Sequence, residues 1–293
     1  MTVSFWGVRG STSAPGADFA RYGGHTTCCA VAVEGAILVL DAGTGIRPLG
    51  QALVGSHDPI YVLLTHLHAD HLLGFPFFAP LYDPDHPVFL LDFEGPRGAY
   101  TPLHQFDGVH YPLRPHDIPA DVRRVEAPGL GALEEHGLRV RRHRVNHPGK
   151  SFSYRIEHDD RAFVFAPDSE LNPPEEEVRY ADFVEFCRGA DVLCHDAQYR
   201  AAEVLDRRGW GHSAVEEAAA LAVDAEADHL ILFHHDPERT DPELDQIGVE
   251  AQAALEEHGV ACTVAYEGLT LDVGRPTRFE ASDPEITPSA ESA

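Results

Sequence analysis

Thr65-His66-Leu67-His68-Ala69-Asp70-His71 places three imidazoles and a carboxylate within six consecutive positions. The stretch follows Ile60-Tyr61-Val62-Leu63-Leu64, an apolar run of strand length, and precedes Leu72-Leu73-Gly74-Phe75. Its polar groups therefore sit where a buried strand is expected to end and a helix to begin, a corner at which side chains can converge. Neutral imidazole and carboxylate are ligands that zinc, iron or manganese accept. His66, His68, Asp70 and His71 exceed what one tetrahedral ion takes from a single loop, so the pattern points to two adjacent ions.

The His-x-His-x-Asp-His pattern after a hydrophobic strand resembles the signature of the metallo-β-lactamase superfamily. That superfamily draws its remaining ligands from strand ends downstream: a lone His, a bridging Asp and a final His. Here these positions match His147 in Asn-His-Pro-Gly, Asp168 in Ala-Pro-Asp-Ser and His234 in Leu-Phe-His-His-Asp, with His235 as the reserve for the last. The resemblance spans about residues 2 to 273 and implies an α/β fold, a four-layer αββα sandwich with two sheets between outer helices. It also implies that His66, His68 and His147 hold one ion, that Asp70, His71 and His234 hold the other, and that Asp168 bridges them. Zinc is the expected metal, with manganese or iron as substitutes.

Further segments resemble particular branches of the superfamily. Gly7-Val8-Arg9-Gly10-Ser11 and Tyr22-Gly23-Gly24-His25-Thr26-Thr27 resemble loops of a bacterial branch close to phosphodiesterases, with His25 where Asn is usual. Asp41-Ala42-Gly43-Thr44-Gly45 resembles the superfamily's first motif, whose carboxylate supports the metal-binding loop from outside the ligand set. His195-Asp196-Ala197-Gln198 resembles the His-Glu-Ala-Thr motif of tRNA 3′-processing ribonucleases, with Asp in place of Glu, and Gly211-His212-Ser213 resembles their His-Ser-Thr motif. By this resemblance Asp196 and His212 form a proton-donor pair, and Asp70 orients or deprotonates the attacking water. The expected activity is hydrolysis of a phosphodiester. The rivals are a thioesterase or lactonase of the same fold, which would not need the His212 and Asp196 pair, and a mononuclear iron dioxygenase. Flavodiiron proteins carry a carboxylate at the position of His68, so the histidine here counts against them.

Composition narrows the substrate. The 293 residues are 43% hydrophobic and 24% charged, an ordinary globular balance. No linker divides the ligand candidates, so residues 1–275 are expected to form one catalytic domain and 276–293 a disordered acidic tail. The formal net charge is -26, and Lys150 is the single lysine. Such a surface repels polyanions, and no basic, Gly-rich insertion supplies the arm that grips tRNA in the processing ribonucleases. The expected partner is a small anionic phosphodiester such as a cyclic nucleotide rather than long nucleic acid, with no membrane association and with a homodimer allowed. The N-terminus begins directly with a strand-like segment, and five cysteines without a Cys-x-x-Cys pair read as reduced packing thiols, so a cytoplasmic location is expected.

The remaining chain reads as short strands at 3–7, 28–34, 36–41, 87–92, 138–145, 152–157, 162–166, 229–233, 260–266 and 269–273. Helices are expected from a Ser213-Ala214-Val215-Glu216 capping box to about Ala227, and over 240–257. Phe75-Pro76-Phe77-Phe78 reads as core before pocket lining. Residues 93–120, with His104, His110 and His116, read as an irregular excursion over the active-site face without metal-site spacing.

Overall fold

The computed structural model describes residues 1–91, 101–125 and 129–273; the expected tail at 276–293 lies outside them. Thirteen strands among these residues form two sheets. The first contains β1 (Thr2–Gly7), β2 (Cys28–Val33), β3 (Ala36–Leu40), β4 (Ile60–Leu63), β5 (Val88–Leu91), β6 (Val122–Val125) and β13 (Thr270–Asp272), in the order β13-β1-β2-β3-β4-β5-β6. The second contains β7 (Leu138–Arg144), β8 (Phe152–His158), β9 (Arg161–Ala166), β10 (Val192–Asp196), β11 (His229–Phe233) and β12 (Ala261–Val264), in the order β12-β11-β10-β9-β8-β7.

Strand alternation explains why the two sheets face each other. In β3, Leu38 and Leu40 enter the core between the sheets, while Ile37 and Val39 enter a second core outside the first sheet. In β9, Phe163 and Phe165 point inward, and Val164 and Ala166 face an outer core with α2 (Tyr180–Cys187), α4 (Val215–Asp224) and α5 (Asp241–Leu255), the short α3 (Ala201–Val204) lying between α2 and α4 in the chain. Strands buried on both faces read as unbroken apolar runs, which is why AILVL and RAFVFA show little alternation. Phe233 joins the layers, its ring 5.7 Å from Phe5 and 5.5 Å from Phe165. The result is the expected four-layer arrangement.

The outer layer on the first sheet departs from expectation. It consists of α1 (Ile46–Ala52) and short 3-10 turns at Ala69–His71, Phe75–Phe77 and Ala79–Tyr82, so no regular helix follows the metal motif. Phe75 and Phe78 are fully buried core, as read, whereas Phe77 is exposed against Tyr111. The described part of the excursion, from residue 101, packs Phe106 into this same outer core and donates from Gln105 to the Leu72 carbonyl; it braces the 72–82 turns. The structure differs from the sequence pattern at two further places. Strand β6, with two exposed arginines, has no strand signal in the sequence. The expected capping box of α4 does not form: the helix starts one residue later, after Ala214, whose N–H donates to Glu217, while Ser213 donates to the Ser169 carbonyl.

Strands β3 to β6 run parallel, as do β9 to β12. Their carboxyl ends gather Asp41, the 65–71 motif, Asp168, Asp196 and His234 at one edge of the sandwich, the usual place for a site in parallel sheets.

Candidate metal centre

The corner after β4 is built around a buried carboxylate. Asp41 ends β3 with a left-handed backbone (φ 63°) and accepts from the Thr65 backbone N–H at 2.7 Å and the Thr65 hydroxyl at 2.8 Å. Its second oxygen also accepts from His71 Nδ1–H at 2.8 Å, which fixes the tautomer and turns His71 Nε2 toward the cluster. The role expected for Asp41 is therefore its actual position.

Around this corner the seven predicted ligands come together. His66, His68, His147 and Asp168 offer atoms all within 4.8 Å of one another, and so do Asp70, His71 and His234. Asp168 stands between the two groups. Its Oδ2 lies 3.7 Å from His66 Nε2 and 3.5 Å from His147 Nε2, while its Oδ1 lies 3.0 Å from His71 Nε2 and 3.1 Å from His234 Nε2. One oxygen thus faces each half, the geometry a bridging carboxylate needs.

The outward nitrogens of these imidazoles are spoken for. His147 Nδ1–H donates to the Gly211 carbonyl at 2.9 Å, and His234 Nδ1–H to Gln198 Oε1 at 3.1 Å. His235 is a different case. Its Nε2–H donates to the Ala265 carbonyl at 2.8 Å, and burial lowers its pKa to about 3, so it is a neutral structural group, and His234 is the member of the cluster. His104, His110 and His116 pair locally with Thr101, Asp107 and Asp117 and are not in any of these groups.

The donor set fits divalent cations. His66 Nε2, His71 Nε2 and Asp168 Oδ1 are buried and lack a hydrogen-bond partner, although each points into the cluster. A buried polar atom left unpaired is costly, and three converging ones are explained by ions they would ligate. Electrostatics agree. Burial pushes the His66 imidazole well below its usual range, with the neighbouring His71 adding to the effect. For His71 burial acts in the same direction, but the carboxylates of Asp168, Asp70 and Asp41 outweigh it and push its pKa well above the usual imidazole range. The carboxylates demand positive charge that metal ions would provide.

Beside this cluster lies a second arrangement. His212 Nδ1–H donates to Asp196 Oδ2 at 2.7 Å, and both residues are buried. Asp196 also accepts from the backbone of Ser169, Gln198 and Ser213. His212 reaches within 4.8 Å of ligand atoms of Asp168 and His234, and its ring stacks 5.1 Å from that of His234. Burial opposes its protonation, yet Asp196, Asp168 and Asp70 prevail and raise its pKa to about 9. His195 turns away, donating from Nδ1 to the Asp196 carbonyl.

Two supporting residues were not legible in the sequence. Gln198 contacts His234, and its amide also reaches Ser11, whose backbone N–H donates to Asp70 at 2.8 Å. Glu170 is buried and clamps the turn before His212. His25, placed where Asn is usual, bonds Thr44 through Nδ1 at 3.2 Å and stays outside the cluster.

Comparison with known proteins agrees with this geometry. A ribonuclease Z of Halorubrum lacusprofundi is 29% identical over 84% of this chain and 91% of its own length. Among solved structures, a metallo-beta-lactamase fold protein of Bacillus subtilis aligns with a TM-score of 0.64 at 19% identity, covering 92% of this chain and 99% of that one. The short form of human tRNase Z aligns at 0.62 and 19%, covering 93% and 99%. The family model described as "Beta-lactamase superfamily domain" matches residues 37–235, from β3 to the end of the ligand set. The chain belongs to the beta-lactamase superfamily.

Proposed function

We propose that this protein is a metal-dependent hydrolase of phosphodiesters, that it uses two divalent ions, zinc foremost, and that its preferred substrate is a small phosphodiester such as a cyclic nucleotide. The observation that carries the reading is the His212 and Asp196 pair set against the ligand cluster. Opening a thioester or lactone has no need of a separate proton donor at this point, whereas an alkoxide leaving a phosphodiester does. Relatives named ribonuclease Z, enzymes whose name denotes cleavage of RNA, support phosphodiester chemistry.

In this reading His66, His68 and His147 hold one ion, Asp70, His71 and His234 the other, and Asp168 both. When bound, the ions supply Lewis acidity toward a water and toward the phosphoryl oxygens. Asp70, kept ionised by His71 and His234 against the effect of its burial, orients the attacking water or accepts its proton. His212 delivers its proton to the departing oxygen, and Asp196 holds the ring in place and stabilises its charge. The net charge of -26 favours small substrates over structured RNA.

The test is a substrate panel for the zinc- and manganese-loaded protein: bis(p-nitrophenyl) phosphate, cyclic nucleotides, precursor tRNA, a thioester and a lactone, with metal content measured in parallel. Two metals per chain and preferential turnover of small phosphodiesters are expected. Preference for the thioester or lactone would overturn the reaction class, one iron per chain in the protein as purified, before metal loading, would favour a dioxygenase, and efficient precursor tRNA cleavage would overturn the substrate size.

A further inference from the structure

The residues after Asp168 do more than end a strand. Ser169 donates its backbone N–H to Asp196 and accepts the Ser213 hydroxyl on its carbonyl; Leu171 donates its N–H to Ser213 Oγ. Between them Glu170 is buried at 2% exposure, and its carboxylate accepts from Gly209 N–H at 2.9 and 3.0 Å and from Gly211 N–H at 2.9 Å. Its backbone is tied to Asn146, the residue before His147, by bonds in both directions.

The turn that Glu170 grips serves both halves of the chemistry. Gly209 and Gly211 have φ of 88° and 92°, which a side chain would strain. The Gly211 carbonyl accepts the His147 Nδ1 proton, so the turn decides which nitrogen of His147 faces Asp168. The approach is close: a Cβ at Gly211 would lie 2.1 Å from His147 Nδ1. His212 is the next residue. Arg208, the nearby cation, lies 4.0 Å from Glu170 and bonds Glu217 instead. A carboxylate this buried, held by two backbone N–H groups and with its nearest cation 4.0 Å away, is an expensive way to fix a turn, which argues for a geometric demand at that turn.

We propose that Glu170 is a positioning residue that couples the ion held by His147 to the proton delivered by His212, by locking the Gly209–Gly211 turn that orients both. The inference rests on the hydrolase reading above for its catalytic half. Trp210, 61% exposed at the tip of the turn, provides a direct reporter once Trp6, the other tryptophan, is replaced by Phe.

In that background Glu170→Ala should lower the fluorescence anisotropy of Trp210 in the metal-free protein. In chelator competition with zinc alone it should weaken one of the two ions by about 10–100-fold, the usual cost of losing a group that orients a ligand. Turnover should fall more for esters with alkoxide leaving groups than for p-nitrophenyl esters. Glu170→Gln, which keeps one acceptor oxygen, should show the same changes in weaker form and carries the test if the alanine variant does not fold. Unchanged anisotropy, or equal weakening of both ions, would overturn the proposal. A parent protein that binds no zinc would overturn the hydrolase reading instead, and the anisotropy would still decide whether Glu170 holds the turn.

Discussion

At the scale of single residues the site separates ligands from groups that hold them. Each predicted ligand imidazole whose outer nitrogen is bonded finds a different partner: Thr65 for His66, Asp41 for His71, Gly211 for His147, Gln198 for His234. His212 has the same arrangement with Asp196, yet it lies in a third group that shares Asp168 and His234. It could therefore be a ligand or an acid, and the variants differ. For an acid, His212→Ala keeps two metals and loses about 10²–10⁴-fold in turnover of esters with alkoxide leaving groups. The loss is smaller for p-nitrophenolate, which departs without the proton. Asp196→Asn behaves alike, and the double variant loses little more than either single one, because the pair acts as a unit. The pH profile gives the sign. With its pKa raised to about 9, His212 carries the proton at neutral pH, so activity on unactivated esters falls as pH rises through that value. Cations in the cluster disfavour a nearby imidazolium and move this limb to lower pH. The limb should vanish in His212→Ala; equal losses for both leaving groups, or loss of a metal, would end the acid role.

At the scale of elements the carboxyl ends of parallel strands set the ligands, and the segment 41–45 sets the depth of the metal loop. Ala42 exchanges backbone bonds with that loop, donating to the His71 carbonyl and accepting from Gly74 N–H. Gly43 fits beneath it so closely that a Cβ would lie 2.2 Å from the Asp70 carbonyl oxygen and 2.6 Å from that of Thr27. Those are backbone atoms on two elements, so Gly43→Ala should cost about 1–3 kcal/mol in chemical denaturation and weaken metal binding by displacing Asp70. Gly131→Ala, with nothing within 4 Å of the added carbon, is the control and should be neutral. The same contrast explains what was legible. The ligands, β3, β4, β9 and β11 were readable because apolar strands followed by His or Asp are a strong local pattern. The Gly43 contact, Glu170 and Gln198 were not, since their roles depend on segments brought together by folding. Strand β6, as VRRV, has its two central arginines exposed on a sheet edge and lacks the apolar run that marks a buried strand. The capping box is absent because Ser213, a good cap by type, is engaged by Ser169 and Leu171. After the metal motif the chain stays in 3-10 turns because the aromatic residues bury against α1 and the sheet rather than along one helix face.

At the scale of the whole molecule two electrostatic effects act in opposite directions. Net charge of -26 opposes compaction, so partial protonation of surface carboxylates and added salt both relieve repulsion. Buried histidines work against acid. His229 sits between β10 and β12 with Nε2 2.9 Å from Thr263 Oγ1, and burial lowers its pKa to about 4. The unfolded chain, with an ordinary value near 6.5, binds the proton more readily. Stability from this residue is therefore complete above about pH 6.5 and is lost as pH falls toward 4, by an amount of about 3 kcal/mol. His229→Gln should flatten that part of the stability profile in urea titrations at pH 7.5 and pH 5; an unchanged slope would place the acid sensitivity elsewhere.

The same charge predicts how substrates of different size respond to salt. Arginines cluster on β7, but Arg139 and Arg141 face Glu157, and Arg144 pairs with Glu177, so this edge is no bare cationic track. An enzyme that grips RNA through basic side chains loses affinity as salt rises, because bound counterions are released on association. For a net negative enzyme, by contrast, salt screens repulsion, with a Debye length of about 10 Å at 0.1 M. Any kcat/KM on precursor tRNA should then be low and rise between roughly 0.05 and 0.3 M salt, whereas a cyclic nucleotide, carrying one charge, should respond weakly. Steady-state kinetics across that range with both substrates decides the matter. A steep fall with salt for tRNA would reveal phosphate contacts that outweigh the acidic surface and would move the preferred substrate back to RNA.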